Sequence, residues 1–218
     1  MSATILIIIA TCLVSFSAFN NENIFNQLAF WPEKIWHDKE YHRMFTGGLL
    51  HADMTHLFFN MISLYFFGPN IEAYFYRYFE GGTYFFIAFY MVAVIVAHLP
   101  DLFLHKDNYY YRGVGASGAV SAVIFASILF DPTNLIYIQF FIPVPAVLFG
   151  VGYLFYSVYM SKRGGDNIAH LAHFGGAAFG FVFGSTFGLF EFGDEFVFPL
   201  LFQPSLIQTF FSKITHFI

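Results

Sequence analysis

The chain has 218 residues and a net charge of −5; 58% of it is hydrophobic, only 11% is charged, and it contains 34 Phe and 14 Tyr. An ordinary soluble domain carries about 25% charged residues, so this composition excludes one and indicates a polytopic membrane protein with room for a single helical bundle. The scattered charge excludes a nucleic-acid-binding stripe or a polybasic lipid patch, and a lone Cys12 excludes a disulfide framework or a cysteine-rich metal site.

Six apolar stretches follow along the chain, over residues 4–19, 49–67, 83–99, 117–130, 135–160 and 168–190, and each predicts a membrane-spanning helix. The first ends in Ser15-Phe16-Ser17-Ala18, which looks like a signal-peptide cleavage site. No Lys or Arg precedes its apolar core, so a retained helix is the preferred reading. Residues 20–45 carry Trp31, Pro32, Trp36 and mixed charge, which suits a membrane-associated first loop in the headgroup layer. At the far end, 205–218 places Leu206, Ile207, Phe210, Phe211, Ile214 and Phe217 among polar residues, a pattern for an amphipathic helix on the surface that is too short to span. The expected fold is an all-α membrane protein, a single domain over 1–218 with six spans.

If the spans alternate, the second, fourth and sixth start from one membrane face, so the residues near their N-terminal ends share one depth. Those ends hold His51, His56 and Asn60, then Ser117, then His170 and His173. Ser117 stands 14 residues before the helix-ending Asp131-Pro132, about 21 Å at helical rise. In a hydrocarbon core about 30 Å thick, that leaves it on the order of 9 Å below the near surface. Backbone that is not helical at such depth must be buried in protein or line a wet cavity, which suits Gly113-Val114-Gly115 ahead of the serine.

A serine is a weak nucleophile until a base within about 2.6–3.2 Å takes its proton, and histidine is the side chain best tuned for this near neutral pH. His173, Gly176, Gly180 and Gly184 fall on one helical face, and Gly118, Ala122 and Ala126 form a small-residue row beside Ser117. Such rows let two backbones approach closely, which would bring Ser117 toward His173. His56 and Asn60, four apart on another helix, both present N–H donors suited to an oxyanion hole, with the Ser117 amide as a third. Taken singly, these features have plainer readings: a small-residue helix contact for Gly115-Ala116-Ser117-Gly118, a structural or pore-lining group for a histidine, interhelical glue for Asn60. The convergence of three helix heads favours chemistry.

Together these residues resemble the rhomboid intramembrane serine proteases over about 43–184. The similarity comprises Arg43; His51-Ala52-Asp53 with His56 and Asn60; Gly68 to Glu72; Gly115-Ala116-Ser117-Gly118; and Ala172-His173 with Gly176 and Gly180. The resemblance implies that Ser117 is the nucleophile, His173 the general base and acid, and His56, Asn60 and the Ser117 amide the oxyanion hole. Gly115, Gly118, Gly176, Gly180, Arg43 and Glu72 take supporting places. It implies transmembrane substrates, small residues at the cleavage point, and no cofactor or metal. Two positions depart from the family pattern. His42-Arg43 stands where Trp-Arg is frequent, and Ser121 stands where some members place an aromatic ring that packs on the catalytic imidazole, which leaves open what orients His173. Ser121 is also a rival nucleophile one turn deeper, without a preceding glycine loop. His170 reads as an entrance residue, and Gly164-Gly165 as a mobile loop that, with the fifth helix, gates substrate.

Two other classes compete: a proteolytically dead relative of the same fold, though both Ser117 and His173 are kept, and a metal or haem protein, though there is no HExxH and no acidic companion to the histidines within the spans. The resemblance implies a bacterial plasma membrane with the site toward the outer face. Lys34, Lys39, Arg43, Lys106, Arg112, Lys162 and Arg163 lie on the side where the site helices begin, against Arg77 and Lys213 opposite, which by the positive-inside rule would make that side cytoplasmic.

Overall fold

The computed structural model describes residues 2–130, 135–138, 142–163 and 170–192. Helix α1 (Ala3–Ala18) turns Leu6, Ile9, Leu13 and Phe16 outward and buries a small polar-edged face, Thr4, Thr11 and Ser15. Its first turn is capped by a distant carboxylate: Glu72 accepts from the Ala3 and Thr4 amides (2.7 and 3.1 Å) and from the Ser2 and Thr4 hydroxyls (2.7 and 2.9 Å). A helix N-terminus has amides without internal partners and a positive dipole end, so a buried carboxylate is stable there. Glu72 thus ties the start of α1 to a position some seventy residues further along the chain.

The first loop folds more than its composition predicts. It contains α2 (Glu22–Leu28), whose cap Asn21 accepts from the Asn23 and Ile24 amides, then α3 (Pro32–His37) with proline in its first turn, α4 (Arg43–Thr46), and a 3₁₀ turn at Gly47–Leu49. Arg43, 5% exposed, binds these pieces together: its guanidinium donates to Glu40 and to the carbonyls of Asn26 (2.6 Å) and Ala29 (3.1 Å). The loop is anchored through Arg43 without the tryptophan that often precedes it in the family, and Trp31 lies under the Arg43 and Arg112 guanidiniums instead.

Helix α5 (Met54–Tyr78) begins at Asp53, whose carboxylate accepts from the His56 amide at 2.8 Å. It continues eleven residues beyond the expected end at 67, through Pro69, because Glu72 has its partners in α1 and Ile71 and Phe75 are buried. Helix α6 (Gly82–His105) follows after Gly81, whose φ of 82° suits glycine. Helix α7 (Ser117–Phe130) starts at the serine, as its sequence predicts, and occupies the centre: Gly118 through Val123 are all buried. A helix apolar all round is one surrounded by others.

The expected fifth span over 135–160 is corrected. Residues Leu135–Ile138 (β1) and Ile142–Pro145 (β2) form an antiparallel hairpin, with Leu135 opposite Pro145 and Ile138 opposite Ile142. Pro143 and Pro145 cannot donate in a helical ladder, and each pushes the residue before it into extended backbone. Helix α8 (Ala146–Arg163) begins just after the second proline, and α9 (His170–Phe192) closes the described chain.

Among the described residues one helix, Gly82–His105, is long and apolar enough to cross a membrane by length and composition; Ala3–Ala18, Ser117–Phe130 and Ala146–Phe155 are shorter apolar helices. The expected set of six full spans is therefore not reproduced. The expected surface helix at 205–218, the Gly164-Gly165 loop and Asp131-Pro132 lie outside the described residues.

Candidate functional site

The heads of α5, α7 and α9 meet. Gly115 has φ 125°, a left-handed conformation, and a Cβ there would stand 2.8 Å from Cε1 and 3.0 Å from Nε2 of His56, and 3.6 Å from the Ser117 hydroxyl. The His56 ring and the Ser117 hydroxyl therefore face the same small volume, which only a glycine leaves open. Asn60 lies one turn deeper on α5, 7% exposed, and its amide donates to the His56 carbonyl at 3.0 Å. It is placed beneath His56, with one of its two amide hydrogens directed along its own helix.

The glycine seam is formed. A Cβ on Gly176 would fall inside contact distance of the Gly118 carbonyl oxygen, and one on Gly180 would do the same with the Ala122 carbonyl. A Cβ on Gly118 would meet the Ala97 methyl and come 3.2 Å from the Ala172 carbonyl oxygen. The backbones of α7 and α9 thus touch over two turns, and Ala172, the residue before His173, packs against Gly118, the residue after Ser117. Glycine rows permit this approach where any side chain would hold the helices apart. His173 is half-buried, with the His170 ring edge-on to it at 6.0 Å. His170 itself is 4% exposed, which places it within the packed interior and not at an open entrance.

Arg43 and Glu72, the charged supporting candidates, lie away from this junction. Arg43 organises the first loop, and Glu72, three turns past Asn60 on α5, caps α1.

Two participants had no assigned role in the sequence. His51, 1% exposed, accepts from the Ala116 amide through Nε2 at 3.4 Å. That bond leaves the proton on Nδ1, 3.0 Å from Ser15 Oγ, which donates to the Leu49 carbonyl at 2.8 Å. The neutral imidazole so links α1 to the loop immediately before Ser117. A lone membrane histidine carries no signal of this, although its place five residues before His56 put it in the right zone. The second is Tyr153 on α8, whose ring stacks on His173 with centroids 6.1 Å apart and planes 22° apart. One tyrosine among fourteen offers no sequence cue.

The Rhomboid domain family matches the chain over residues 38–190. The chain is also 33% identical over 152 residues to "RHOMBOID-like protein 12, mitochondrial" of Arabidopsis thaliana, a match covering 63% of this chain and 44% of the relative. The chain thus spans less than half the length of the relative it matches. That relative's mitochondrial designation gives no support to the bacterial plasma membrane expected from sequence. The family match extends from the helical first loop through α9 and includes every residue of the junction described above; the chain is a membrane protein and belongs to the rhomboid family.

Proposed function

We propose that the chain is an intramembrane serine endopeptidase that cuts transmembrane segments of other membrane proteins, with Ser117 and His173 as its dyad. The observation that carries this reading is the backbone contact of α7 with α9 through Gly118 and Gly176, which brings the residues flanking the serine and the histidine together. Rhomboid proteins are typically serine proteases of this kind, which supports the class.

The chemistry needs a two-step acyl transfer. Ser117 Oγ attacks the scissile carbonyl carbon as its proton passes to His173, and the carbonyl oxygen becomes an oxyanion. Collapse breaks the C–N bond, and His173 returns the proton to the departing amine. Water then loses a proton to His173 and attacks the ester, freeing the acid and restoring the Ser117 hydroxyl. The donors for the oxyanion are the His56 ring, the Asn60 amide and the Ser117 backbone N–H. Losing one such donor costs about a hundredfold to a thousandfold in rate. Substrates are transmembrane helices unstable enough to unwind and expose a peptide bond to the site.

Reaction of Ser117 with a serine-directed fluorophosphonate tests the proposal. Labelling is expected in the intact chain, lost in Ser117→Ala and reduced in His173→Ala. A chain that neither labels nor cleaves a membrane substrate handles transmembrane helices without cutting them, and the protease reading then falls.

A further inference from the structure

We propose that Tyr153 is the positioning residue of His173, held in place by Ser121, so that the ring orienting the base is delivered by α8 and only its anchor by α7. The role rests on the protease reading above. Ser121 stands one turn below Ser117 on α7, is 3% exposed, and its Oγ lies 2.7 Å from the Tyr153 hydroxyl. The tyrosine ring then extends over His173, nearly parallel to the imidazole, at a separation within the 4.5–7 Å range of attractive ring pairs.

The ring is itself confined. Phe149, one turn earlier on α8, stacks on it at 6.1 Å and 25°, and Phe125 of α7 approaches at 5.8 Å and 50°. A phenol pinned at its hydroxyl and flanked by two other rings has few rotamers left, so it offers His173 a fixed surface. The imidazole meets Tyr153 through its face, and the His170 ring stands nearly perpendicular to it. This arrangement also gives Ser121 a purpose other than nucleophile. Its small side chain leaves space for an incoming ring, and its hydroxyl supplies a hydrogen-bond partner for the half-buried phenol.

The residues act through His173, so the test separates turnover from binding. With a reconstituted transmembrane substrate, Tyr153→Leu is expected to lower kcat by about tenfold, the size of losing one aromatic pair, with KM unchanged. Tyr153→Phe keeps the ring and is expected to rescue most of that loss. Ser121→Ala and Tyr153→Phe remove the same hydrogen bond, so the double variant should be no slower than the slower single one. The imidazole proton resonances of His173 provide a readout independent of turnover: the ring-current shift should persist in Tyr153→Phe and vanish in Tyr153→Leu. Wild-type kcat in Tyr153→Leu overturns the positioning role while leaving the protease reading intact. Additive losses in Ser121→Ala and Tyr153→Phe overturn the anchor. A wild-type chain inert to both fluorophosphonate and substrate overturns the protease reading and takes the positioning role with it.

Discussion

Adding one methyl group at Gly176 should disarm the site from a distance. The obstacle to that methyl is the Gly118 carbonyl oxygen, a backbone atom that cannot rotate aside, so α9 must move away from α7. Overpacking of this kind costs about 1–3 kcal/mol. Relief requires a shift on the order of 1 Å, and His173 rides on the same face one turn above; misplacement of that size costs about a hundredfold in rate. Two other glycines calibrate the effect. At Gly184 the nearest obstacle is Leu129 Cδ1 at 2.8 Å, the tip of a flexible side chain, and at Gly152 on α8 nothing lies within 4 Å of the added Cβ. Gly184→Ala should therefore cost little. Gly152→Ala should raise stability by roughly 0.5–1 kcal/mol, because alanine suits a helix interior better than glycine. Cleavage of a fluorogenic transmembrane segment in liposomes, paired with thermal unfolding in detergent, measures all three. Equal activity in Gly176→Ala and Gly152→Ala would refute the reasoning that backbone contact aligns the dyad.

Three further outcomes follow from the polar ties. Glu72→Ala strips the Ala3 and Thr4 amides of their acceptor, at roughly 1–3 kcal/mol for each group left unsatisfied, and should appear as a lower unfolding midpoint. His51→Ala removes the acceptor of the Ala116 amide; because one neutral hydrogen bond contributes roughly 0.5–1.5 kcal/mol, fluorophosphonate labelling of Ser117 should slow by up to about tenfold. The hydrogen bond and charge of Arg43 hold the Glu40 carboxyl below its usual range. Its contribution to stability is then complete above the unfolded pKa of about 4.3 and is lost as pH falls through the lower folded value, so Glu40→Gln should flatten the acid limb of the unfolding-midpoint curve.

The junction was legible because it is written in residue types that membranes admit only with a reason. Glycines at 176 and 180 and the row Gly118, Ala122 announced a close helix contact, and Ser117 marked a helix start that the structure keeps. Apolar runs located helices but misjudged their ends. The run over 135–160 hid a hairpin because hydropathy is blind to the backbone limits of Pro143 and Pro145. The opposite error occurred in α5, where the apolar run ends at 67 but the helix continues to Tyr78, because Glu72 finds its partners in α1. Tyr153 was beyond reach for a different reason: its role depends on which helix packs beside α7, and a ring at position 153 reads the same whether it faces lipid or His173.

The seam between α7 and α9 also orders events during synthesis. Ser117 and His173 are 56 positions apart, about 3–11 s of translation at common rates. During that interval the nascent chain holds Ser117 without His173, and the α9 glycines do not yet lie against Gly118 and Ala122. Only when α9 inserts and its glycines meet that groove do the two halves join. On the proposed protease reading, the site is complete only once α9 lies against α7, so the chain would not cut neighbouring membrane chains before its base is in place.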